Sequence, residues 1–178
     1  MRTADRARQL PASGIRKFFE LAESRDDVIS LGVGEPDFSA PWAARNAAIG
    51  ALERGRTSYT SNRGMAPLRA AVADHHERYD QRYDPETEVL ITTGASEAVD
   101  LAFRALVDPG DVVALHEPTY ISYAPGVELA GGEPLAVPTD AADDFALTPE
   151  RLEAAGAADA DLLVCCYPNN PTGATMSD

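Results

Sequence analysis

The chain has 178 residues, 44% of them hydrophobic, and its 29 acidic residues outnumber its 15 basic ones for a net charge of −14. That content is globular rather than disordered, and such a surface repels nucleic acid and anionic membrane. No apolar run approaches the ~18 residues needed to span a bilayer, and Met1-Arg2-Thr3-Ala4-Asp5-Arg6 lacks a signal-peptide core, so a cytoplasmic protein is expected.

Near the start, Ile15, Phe18, Phe19 and Ala22 share one helical face, an amphipathic arm that must dock to persist. Val28 to Gly34 reads as a short extended run, and Glu35-Pro36-Asp37-Phe38 as a turn. Residues 42–53 read as a helix ending near Gly55. Thr57 to Gly64 is an irregular loop carrying Tyr59. A helix with Pro67 in its first turn runs to about Tyr79, with Leu68, Ala71 and Val72 inward.

From residue 88 the rhythm becomes regular. Strands are expected at 89–93, 112–116, 134–137 and 161–167. Helices are expected at 96–107, 121–130 and 149–155, the last capped by Thr148. Strands alternating with helices over short connections specify an α/β fold with a mostly parallel, doubly wound sheet. The apolar run Val112-Val113-Ala114-Leu115 suits a strand covered on both faces. A boundary between residues 40 and 50 separates the arm from this body.

Three features fall at the carboxyl ends of the strands, where open α/β sheets bind ligands. The turn Thr93-Gly94-Ala95-Ser96 opens a helix, so the amides of Ala95 and Ser96 and the Ser96 hydroxyl face an anion-favouring end. The same small residues also serve simply to pack helix on strand. Tyr120, in Glu117-Pro118-Thr119-Tyr120, either stacks on a planar ligand or caps the core edge. Asn170, in Pro168-Asn169-Asn170-Pro171-Thr172-Gly173, sits before a proline that biases it away from the helical region, with Gly173 allowing a sharp exit. Cys165 and Cys166 are adjacent on a strand, point to opposite faces, and read as small buried apolar residues rather than a disulfide or metal pair. His75 and His76 read as solvated surface residues. No metal site is expected. Lys17 is the only lysine. An acidic, lysine-poor chain suits concentrated salt, where screening removes self-repulsion; a GC-rich genome gives the same bias.

The ordered segments Ser30-Leu31-Gly32-Val33-Gly34-Glu35-Pro36-Asp37-Phe38, Thr57-Ser58-Tyr59, Thr93-Gly94-Ala95-Ser96-Glu97-Ala98, Pro109-Gly110-Asp111 and Pro168-Asn169-Asn170-Pro171-Thr172-Gly173 closely resemble the class I/II pyridoxal-phosphate-dependent aminotransferases of the aspartate aminotransferase fold. The resemblance implies residues 1–45 as an N-terminal arm and small-domain segment, and 46–178 as the N-terminal part of the cofactor-binding large domain. It implies pyridoxal 5'-phosphate held by Ala95 and Ser96 at the phosphate, Tyr120 on the ring and Asn170 at the phenolic oxygen. Tyr59 would reach the phosphate from the partner subunit of a homodimer. Gly34 and Asn170 would receive the substrate carboxylate. The Glu117-Pro118 and Asn170-Pro171 bonds resemble positions that are often cis.

The activity implied is transfer of an amino group between an amino acid and a 2-oxo acid, in which a lysine forms a Schiff base and then moves a proton at the α-carbon. No catalytic residue is assigned within these 178 residues: the Schiff-base lysine is expected downstream of Asn170, so the chain resembles an N-terminal portion, incomplete at its C-terminus and inactive alone. Rival readings are a carbon–sulfur lyase on the same fold and a non-catalytic truncated binding or assembly module. A nucleotide-binding domain is disfavoured, because no Gly-x-Gly-x-x-Gly follows the first strand.

Overall fold

Apolar runs broken by glycine and proline build the second half of the chain into alternating helix and strand. A computed structural model describes residues 2–10, 27, 34 and 36–176. The expected arm around Phe18 and Phe19, Lys17, and most of the run from Val28 to Gly34 lie outside the described residues. The elements are α1 (Asp5–Gln9), α2 (Trp42–Glu53), α3 (Ala66–His76), α4 (Ala95–Leu106), β1 (Val112–Glu117), α5 (Tyr123–Ala130), β2 (Glu133–Pro138), α6 (Pro149–Ala154) and β3 (Leu162–Val164). They fall into two compact units, residues 1–10 with 92–178, and residues 11–91.

In the first unit the sheet runs β2-β1-β3 and every pairing is parallel. The central strand β1 is the most buried, with Val113, Ala114, Leu115 and His116 all enclosed. Phe103 of α4, Val107 at that helix's C-cap and Val127 of α5 pack on Val113 and Leu115 to form the core. Gly126 permits that approach: a Cβ there would stand 2.9 Å from the Phe103 ring. The expected α6 cap forms, with Thr148 Oγ1 accepting from the Arg151 N–H. Asp161 fastens β3 to the start of β1, its N–H donating to Val112 O at 2.9 Å and its carboxylate accepting from Val112 N–H at 2.8 Å.

Three local expectations are corrected. Residues 89–93 are not a strand. A strand exists only through its ladder, and among the described residues the segment's one backbone-to-backbone bond is from the Ile91 N–H to Arg63 O, at 3.1 Å. The last strand is shorter than 161–167, so the cysteines lie beyond it. Both are free, Cys165 exposed and Cys166 half-buried, not enclosed as small apolar residues.

The third correction is the inward face of α3. Leu68 and Ala71 are exposed and Val72 half-buried, while Arg69 and Ala73 are buried. Arg69 takes that place because its guanidinium is satisfied there. Nε donates to Pro85 O at 2.8 Å, one Nη to Gly64 O at 2.6 Å, and the other to Glu86 at 2.9 Å. Arg63 reaches the same carboxylate at 3.7 Å. His75 is exposed as expected; His76 is half-buried and bonds Gln81 at 2.8 Å.

Candidate functional site

The site grows from the N-terminus of α4. Gly94 holds φ at 82°, a left-handed conformation suited to glycine, and nothing lies within 4 Å of where its Cβ would stand. The chain turns there into a helix whose leading N–H groups have no acceptor inside it, and the helix dipole adds positive character. Glu97 reaches back to bond the Thr93 N–H, and Thr92 Oγ1 donates to Gly94 O at 3.0 Å, so the turn is held from both sides.

Tyr120 arrives on the loop after β1. Hydrogen bonds with Ser122 and then Ser96 hold its hydroxyl below the usual phenol range. Ser96 and Tyr120 line one hollow of about 260 Å³ with Val99, Ser122 and Gly126. The ring meets Tyr123 edge-on at 5.5 Å. The Tyr123 hydroxyl is pushed up to about 12, first by burial, then by its hydrogen bond to Cys166 and the charges of Cys166 and Tyr120.

The third feature stands on a neighbouring turn. Asn170 is exposed and is not among the residues lining that hollow. Gly173 exits the turn with φ at 73°, as the sequence requires. Asn169 ties this turn to the Tyr120 loop, its Nδ2 donating to Pro118 O at 3.0 Å. The Glu117-Pro118 and Asn170-Pro171 bonds are cis, and so is Tyr167-Pro168. Gly34 and Tyr59 belong to the other unit, where each is exposed.

Sequence reasoning missed the buried polar groups beneath these loops. His116 is fully enclosed, accepts the Cys166 N–H at Nε2 over 3.1 Å, and stacks on Tyr167 at 5.0 Å. Burial lowers its pKa. Tyr167 donates its hydroxyl to Phe145 O at 2.9 Å, across 22 residues of chain. The available signal was a histidine closing the apolar run Val112 to Leu115, and a doubled asparagine between two prolines. Among the described residues no cluster of three metal-ligating side chains occurs, and no helix is long and apolar enough to cross a membrane.

A parallel α/β sheet with an anion-favouring helix end beside an aromatic hydroxyl defines a class of protein, and comparison with known proteins identifies it. The profile described as aminotransferase class I and II matches residues 26–178. The chain is 45% identical over 175 residues to the putative aminotransferase YugH of Bacillus subtilis, covering 98% of this chain and 45% of that protein. It is 40% identical to the aspartate aminotransferase of Pyrococcus horikoshii, covering 97% of this chain and 44% of that one. The solved structure of N-succinyldiaminopimelate aminotransferase from Mycobacterium tuberculosis superposes with a TM-score of 0.89 at 39% identity, over 99% of this chain and 46% of that chain. The chain belongs to the class I and II aminotransferase family and has its fold. It spans about 45% of the length of the curated relatives it matches.

Members of this family depend on pyridoxal phosphate. The residues present fit that group's phosphate: two amides at a helix N-terminus, the Ser96 hydroxyl, and an open approach over Gly94.

Proposed function

We propose that this chain forms the phosphate and ring side of the site of a pyridoxal-phosphate-dependent aminotransferase, which moves an amino group between an amino acid and a 2-oxo acid. The observation that supports it is the pairing of Ser96 with Tyr120 at the start of α4, over one hollow. When bound, pyridoxal phosphate supplies the electron sink for amino-group transfer. The Ala95 and Ser96 amides and the α4 dipole bind the phosphate dianion. The Tyr120 ring lies against the pyridine face, excluding water there. The Asn170 amide, both donor and acceptor, bonds the phenolic oxygen, and Gly34 leaves backbone open to a substrate carboxylate. Tyr59, exposed on its loop, reaches the phosphate of a second subunit, so the working form is a homodimer in the cytoplasm.

The test uses the full polypeptide its gene encodes. Bound pyridoxal phosphate and amino-acid-dependent consumption of a 2-oxo acid are expected, and S96A is expected to weaken cofactor binding about tenfold, the loss of about 1.4 kcal/mol from one charge-assisted bond. A protein that binds no cofactor overturns the reading. Release of pyruvate without an oxo-acid acceptor moves it to the carbon–sulfur lyase. Borohydride reduction of the 178-residue chain with the cofactor is expected to leave Lys17 unmodified; stoichiometric trapping at Lys17 reassigns the amine.

A further inference from the structure

Asn169 is the most enclosed polar side chain on the turn that carries Asn170, at 4% exposure, and the proposed chemistry does not use it. Its Nδ2 donates to two acceptors at once, Pro118 O at 3.0 Å and Thr172 Oγ1 at 2.9 Å. Its backbone closes the turn, with its N–H on Ala174 O and its carbonyl accepting from Gly173 N–H, both at 2.8 Å. Thr172 Oγ1 also accepts from the Ala174 N–H at 3.1 Å. Pro118 lies two residues before Tyr120, and Asn169 lies one before Asn170. One amide therefore spans two loops separated by 51 residues.

We propose that Asn169 is a positioning residue: its amide fixes the Tyr120 loop against the Asn170 turn and so sets the grip on the cofactor ring. This rests on the function proposed above. The chemistry requires an amide. Both Nδ2 partners present oxygens, and a carbonyl can only accept, so a carboxylate would face Pro118 O without a proton to share. Its Oδ1 is buried and finds no hydrogen-bond partner among the described residues, so an aspartate would also bury an uncompensated charge.

The experiment compares wild type with N169D and N169S in the full polypeptide. Without cofactor, amide hydrogen exchange of the segments 117–121 and 167–174 is expected to quicken about tenfold in N169D, while β1 amides 113–116 keep their wild-type rate. N169S, which keeps a donor but shortens the reach, is expected to fall between. With cofactor, the dissociation constant of pyridoxal phosphate is expected to rise about tenfold in N169D, with KM for the amino acid moved less. Equal acceleration in β1 overturns the positioning role, because it shows loss of the whole fold; if N169D does not fold, the same criterion is read on N169S. Wild-type exchange in both segments of N169D overturns it as well. A wild-type protein that binds no pyridoxal phosphate sinks the reading of the site and the cofactor half of this proposal, whereas unchanged loop exchange in a cofactor-binding protein sinks the tie alone.

Discussion

The two units of this chain are held by different forces. In the sheet unit, Phe103, Val107, Val113, Leu115 and Val127 are enclosed together, and stability comes from apolar area removed from water. In residues 36–91 the buried residues are Arg69 and Ala73, while Phe38, Trp42, Ile49, Leu52 and Tyr59 are all more than half exposed. There a guanidinium gathers Gly64 O, Pro85 O and Glu86 around itself. Gly64 is confined on its other side too, since a Cβ would stand 2.5 Å from Ile91. β1, covered by helices, builds a dry core, whereas the described part of the other unit closes around a satisfied guanidinium instead. The exposed apolar rank along α2 is the kind of surface that other protein covers. The second subunit proposed above would be such a cover.

The largest expected effect is in the apolar core. F103A is expected to lose about 3–5 kcal/mol, measured by denaturant unfolding, with exchange in β1 quickened. A loss below about 1 kcal/mol would contradict a core centred on that ring. R69M removes the donor shared by Gly64 O and Pro85 O, while Glu86 keeps Arg63 and solvent, and it is expected to cost about 2–3 kcal/mol. Proteolysis should then open at residues 57–64 while β1 stays protected; equal exposure of β1 would show the two units unfolding as one.

A smaller effect belongs to His116. Burial lowers its folded pKa below the unfolded value, so the unfolded state binds the extra proton. The stability it contributes is present above about pH 6.5 and is lost as pH falls toward its folded pKa, at a slope of up to about 1.4 kcal/mol per pH unit. H116L should remove that slope below about pH 6.5. A variant that keeps it assigns the titration elsewhere. Smallest is the salt response. With a net charge of −14, the melting temperature is expected to rise as salt approaches molar concentration, in both units alike; a flat profile ends the halophile reading.

Much of this was legible in local sequence. Thr148-Pro149 opens α6, Gly94 precedes α4, and Val112 to Leu115 is a doubly covered strand, because caps, turns and apolar runs act over a few residues. The Gly94–Ser96 turn and Tyr120 were legible for the same reason. What tertiary structure alone decided was pairing. Val89 to Thr93 is as apolar as β1 but has no ladder among the described residues, and no residue within it encodes a distant partner. Arg69, His116 and Asn169 carry polar groups that sequence patterns assign to water. They are enclosed because carbonyls or amides from residues as far as 51 positions away meet them, and a contact across that distance exists only once the chain has folded.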